Sequence, residues 1–191
     1  MVSRVRESSD RTAGSPGGAP VPAVGGGAPA PPAASEEDGP AAVRERLQAY
    51  ADRGVFRGFA EQPARRGRRR FTFLWLAPTP FTLTYDAASG ALAFRDLLPN
   101  VPARSPLAGA LRSFIRGRAS AELPEHRRVD PARAAVGCSI RRGALSVEVV
   151  ARPGHHGYGA NRAVNLVHEI FVHLQVRFPE YMWENFDAPQ E

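Results

Sequence analysis

The stretch FTFLWLAPTPFTLTYDAASGALAF, running from Phe71 to Phe94, decides the fold class. Phe81, Leu83 and Tyr85 alternate with Thr82 and Thr84, the period of two expected of a strand with one face buried and one wet. Just before them, Phe71, Phe73 and Trp75 alternate with Thr72, Leu74 and Leu76. That segment is apolar on most of both faces, so it is expected near the centre of a sheet. Pro78 and Pro80, which lack the amide a ladder needs, separate the two strands. A turn over Asp86, Ser89 and Gly90 then leads into a third strand at Leu92 and Phe94.

Toward the N-terminus, Val43, Leu47, Tyr50 and Ala51 recur at helical spacing. Asp38 is placed to cap this helix, Pro40 suits its first turn, and Gly54 suits its end. Val55, Phe56 and Phe59 read as an irregular packed segment, followed by a basic loop from Arg65 to Arg70. Toward the C-terminus, Ser105 caps a second helix with Pro106 at its first position. Leu107, Leu111, Phe114 and Ile115 form its buried stripe, with Arg112, Arg116 and Arg118 expected in water. Val136, Cys138 and Ile140 alternate on a fourth strand, and Arg142-Gly143 turns it into a fifth through Leu145, Val147 and Val149. Ala163, Val164, Val167, Ile170, Phe171, Leu174 and Phe178 then follow one helical stripe, and Pro179 starts a short continuation from Glu180 to Phe186. The expectation is a single α+β domain over residues 40–191, of order α-βββ-α-ββ-α, with an antiparallel sheet covered by helices.

Residues 1–39 read differently. Across the first 40 positions, seven prolines, seven glycines and seven alanines stand without a single aromatic residue. Such a segment buries too little apolar surface to offset its chain entropy, so a disordered tail is expected.

The order of elements over about residues 40–178 resembles that of the type III secretion chaperone-like superfamily. Its members are small α+β proteins that bind other polypeptides and often dimerise. The resemblance rests on element order and has no sequence motif; it implies polypeptide binding, with a homodimer as one form. Secretion chaperones of that fold are typically acidic, whereas this chain is basic.

The net charge is +6 and the pI near 10.6, yet all 25 basic residues are arginine. Arginine, alanine, glycine and proline share GC-rich codons, so base composition alone would give much of this balance. Residues 1–40 carry three arginines against five acids, which leaves 22 arginines and 14 acids in the expected domain. Cys138 is the lone cysteine, so no internal disulfide forms and a reducing, cytoplasmic setting is expected. No apolar run resembles a secretory signal or approaches the roughly 18–20 residues of a membrane span, so no membrane partner is expected.

Few residues suggest chemistry. His168-Glu169 with His173 looks like a zinc-protease motif, but the histidines are five apart, which puts them roughly 140° apart on a helix. His155-His156 with Gly157 and Gly159 reads as a glycine-rich connector, whose two imidazoles would need His126 and Asp130 as third and fourth ligands to make a weak metal site. Cys138 is in phase with Val136 and Ile140 and is expected to behave as a small hydrophobe. No catalytic, metal or cofactor site is therefore expected, and the reading is non-enzymatic. Two surfaces remain as candidates for a partner. One is Val172 and Val176, opposite the main stripe of the last helix, with Tyr181, Met182, Trp183 and Phe186 beyond it. The other is Arg65, Arg66, Arg68, Arg69 and Arg70, suited to nucleic acid or another anion. The first points to a protein-binding, chaperone-like adaptor using its sheet and terminal helix, and the second to nucleic-acid or anion binding as the alternative.

Overall fold

The computed structural model describes residues 39–187. The expected tail, including Asp38 as a cap, falls on residues outside that range, apart from Gly39, which opens the first helix. The elements are α1 (Gly39–Asp52), β1 (Arg57–Arg65), β2 (Arg68–Leu74), β3 (Phe81–Asp86), β4 (Ala91–Leu98), α2 (Pro106–Gly117), β5 (Ala134–Arg141), β6 (Ala144–Ala151), α3 (His156–Arg177) and α4 (Pro179–Phe186). The strands form one antiparallel sheet of order β1-β2-β3-β4-β6-β5. The domain is α+β, as the alternation around Phe81 implies, with six strands where the sequence suggested five.

One face of the sheet carries the core. Along β3, Phe81, Leu83 and Tyr85 are buried while Thr82 and Thr84 are partly open, and β6 alternates in the same way. α3 lies over β4 and β6, with α1 against it on the β1 side and α2 over β5. Val43, Leu47, Leu111, Ile115, Val167, Ile170 and Leu174 meet Phe71, Phe73, Leu83, Phe94, Val147 and Val149 in one contiguous core. Ser105 caps α2 as expected, its hydroxyl accepting from the Ala108 amide at 3.1 Å.

β1 is the strand that the sequence hid. It holds Gly58 at φ +62 and Pro63, and its register with β2 shifts twice, so no clean period of two survives in RGFAEQPAR. Its presence makes β2 second from the edge rather than central, with Phe71 and Phe73 buried and Thr72 and Leu74 only partly so. It also changes the basic run. Arg65 ends β1, Arg68 to Arg70 open β2, and Arg66-Gly67 is a two-residue turn with both φ positive (+51 and +75). The mirror-image hairpin turn needs that backbone. The run is a hairpin tip, not a loop.

Two further expectations are corrected. His155 to Gly159 is not a connector: α3 starts at His156, and a Cβ on Gly159 would sit 2.7 Å from the Cβ of Ala151. Glycine there lets the helix approach β6 closely. Arg118 does not face water; it is buried and ion-paired to Glu169 of α3. Its αR backbone continues the spiral of α2, and seven residues after Leu111 and three after Ile115 its side chain falls on the buried stripe.

Candidate binding surface

Among the described residues, no helix lies on the second face of the sheet. Register places Arg68, Arg70 and Thr72 of β2 beside Asp86, Thr84 and Thr82 of β3, then Ala91 and Ala93 of β4 beside Val150 and Glu148 of β6. Twist curves this face into an open concavity of about 1110 Å³. Its lining carries the side chains of Arg65, Arg66, Arg68, Arg70 and Arg95, against only Asp86 and Glu148 as carboxylates among the described residues. Thr84, Ser89, Ala91 and Ala93 form the floor, and among the described residues no aromatic side chain contributes.

The arginines of the run divide into two sets. Arg68 donates to Asp86 at 2.8 Å, and Arg69 points to the helix side, where Glu61 binds it at 2.7 Å and Arg44 at 3.2 Å. Arg95 stands 3.6 Å from Glu148. Arg65, Arg66 and Arg70 make no ion pair with any described residue and stay exposed. The Arg68 hydrogen bond, helped by the amides of Ser89 and Ala88, holds the Asp86 carboxyl below its ordinary range. Asp86 is thus a fixed negative charge within a positive rim.

The other candidate surface is smaller than its sequence suggests. Tyr181 and Met182 are buried in their own domain, with the Tyr181 hydroxyl donating to the Pro99 carbonyl at 2.6 Å. Phe186 packs edge-on against Phe171 with ring centres 5.0 Å apart. α4 therefore closes the core, and what it leaves outside is Trp183. On α3, Val172 and Val176 are 45% and 74% exposed, large values for valine on a long helix.

The remaining candidates are dispersed. His168 stacks on Trp75 while His173 stacks on Phe114, so the two rings serve opposite flanks of α3. His156 Nδ1 lies 3.1 Å from the Tyr85 hydroxyl. Cys138 is half-buried on β5, and burial pushes its thiol up, away from the thiolate that a nucleophile needs. Among the described residues no three of His, Cys, Asp and Glu are grouped to hold a metal ion, and no helix is long and apolar enough to cross a membrane.

His173 offers a separate check on packing. Burial, with the charges of Arg177 and Arg118, holds its imidazole below the ordinary 6.5, and its buried Nε2 has no hydrogen-bond partner among the described residues. As pH falls through 6.5, the unfolded chain takes up a proton that the folded chain refuses, so stability drops on acidification. Denaturant titrations from pH 7.5 to 5.5 are expected to show a steeper loss in wild type than in His173→Gln.

Sequence reasoning identified the arginines but not the surface that they border. Arg95 and Glu148 were within reach, because the alternation of β3, β4 and β6 already assigns Thr82, Thr84, Arg95 and Glu148 to the side away from Leu83, Phe94 and Val147. The missing link was strand order, which pairs β4 with β6 and gathers those residues. Comparison of the chain with family models, curated proteins and solved structures gives no match.

Proposed function

We propose that this protein is a non-enzymatic, chaperone-like adaptor whose uncovered sheet face holds an acidic stretch of another polypeptide. The observation that supports this most is the concavity itself. Every long helix among the described residues packs on the opposite face, and the uncovered side is edged by arginines, three of which lack a counter-charge among those residues. Small side chains on the floor leave room for an extended chain. Asp86 and Glu148 interrupt the positive field, which suits the mixed charges of a polypeptide better than an unbroken phosphate backbone. Among the described residues the lining holds no aromatic side chain, the stacking platform on which single-stranded nucleic acid is usually held.

A second contact on the terminal helices is favoured by the exposure of Val172, Val176 and Trp183, since apolar side chains left in water on a folded surface mark an interface. It would serve either the same polypeptide or a second copy of this chain.

Titration of a polyglutamate peptide against wild type and against Arg65→Ser with Arg66→Ser and Arg70→Ser tests the reading. These side chains pair with nothing described, so the thermal midpoint should hold while affinity falls about tenfold or more, the sum of three exposed charge contacts. An oligonucleotide of equal charge should bind more weakly than the peptide. Tighter oligonucleotide binding, lost in the same variant, would replace this reading with nucleic-acid binding.

A further inference from the structure

The two edges of the sheet are built differently. β1 is irregular, with Pro63, Gly58 and two register shifts, features that spoil an edge for pairing. β5 keeps unbroken register with β6 from Ala134↔Ala151 to Arg141↔Ala144, with no proline and no charge before Arg141. Arg142 and Gly143 form a two-residue turn with φ +50 and +78, which makes Arg141 and Ala144 the hydrogen-bonded closing pair. Alternation then directs the amides and carbonyls of Ala135, Gly137 and Ser139 toward β6. Those of Val136, Cys138 and Ile140 point outward, and no described backbone group pairs with them. Such an edge invites another strand.

α2 supplies this edge with charge. At about 100° per residue, Leu111 and Ile115 face inward and Phe114, stacked on His173 of α3, marks the inner flank. Arg112 and Arg116 fall on the opposite flank, away from α3 and on the β5 side, near enough for their charge to be felt at the Cys138 thiol. Arg141 and Arg142 stand exposed at the end of the strand. None of these four arginines forms an ion pair with a described carboxylate; Arg112 donates to the Ala103 carbonyl and Arg116 to the Arg112 carbonyl.

We infer that the free edge of β5 is a docking site for an extended segment of another polypeptide with carboxylates on alternate residues, which adds to the sheet as a seventh strand. The backbone of the segment pairs with Val136, Cys138 and Ile140, and its carboxylates lie beneath Arg112 and Arg116. A second copy of this chain is the poorer occupant, because pairing β5 with itself brings the arginines of both copies together. This inference does not depend on the concavity, which lies on the opposite face from α2.

Amide hydrogen exchange on the full chain tests it, with a peptide of alternating valine and glutamate as probe and one of alternating valine and arginine as control. The acidic peptide should slow exchange at Val136, Cys138 and Ile140 by about tenfold or more at saturation, and the basic one should not. Arg112→Glu with Arg116→Glu should reverse that preference. If the double variant fails to fold, Arg141→Glu, exposed at the strand end, should still weaken the acidic peptide. Unchanged exchange at these amides would overturn the inference. So would protection already present in the free chain at the mass of a dimer. Slowing at Thr84 and Ala93 alone would also overturn it, while leaving the sheet-face reading standing.

Discussion

Replacing Glu169 with leucine is expected to lower the unfolding free energy by about 3–5 kcal/mol, the usual cost of stranding a buried charge. Glu169 accepts from Arg118, and from Arg127 at 3.2 Å. Arg118 is 9% exposed, with its guanidinium 4.2 Å from the ring centre of Phe114, and among the described residues Glu169 is its carboxylate partner. Without Glu169 that charge must either stay desolvated and unpaired or pull the end of α2 off α3. Changing both partners, Arg118→Met with Glu169→Leu, removes the charge as well as its counter-ion and should recover most of the loss. Urea titrations of the two single variants and the double variant measure this directly. A loss below about 1 kcal/mol in Glu169→Leu would mean that Arg118 reaches water easily and that the pair is not what joins α2 to α3.

Phe73→Ala is the other substitution with a large expected effect, again about 3–5 kcal/mol. Phe73 is fully enclosed, with its ring 3.9 Å from that of Phe56 and about equally distant from Phe81 and Phe94, at 6.4 Å each. Its removal empties the centre of an aromatic cluster shared by α1's exit, β2, β3 and β4. Trp183→Ala removes a larger side chain from an exposed position and should change stability by no more than about 0.5 kcal/mol. Similar losses in the two variants, read from thermal or denaturant midpoints, would show that the core is not centred on Phe73.

These two substitutions also mark what the sequence could and could not disclose. Phe73 declares itself by alternation, as do Leu83, Tyr85 and Val147, because a period of two is set locally by the strand. The caps behave likewise: Ser105 and Pro106 start α2 through contacts within four residues. β1 was hidden because Gly58, Pro63 and its bulges break the period, so only pairing with β2 defines it. Arg118 looked solvated because one turn of α2 says nothing of Glu169, fifty-one residues away. His156 to Gly159 looked like a loop because glycine disfavours helix locally, whereas close approach to Ala151 requires it. The binding surface was hidden for the same reason as Arg118, since its floor is assembled from strands that neighbour one another only after folding.

The uncovered sheet face as the seat of a polypeptide is tested most directly by mapping amide chemical shifts during titration with the polyglutamate peptide. The expected footprint covers Arg70, Thr82, Thr84, Ala93 and Glu148, saturates, and fades as salt screens the arginines. A footprint confined to Val172, Val176 and Trp183, or the absence of any saturable shift on the sheet, would contradict it.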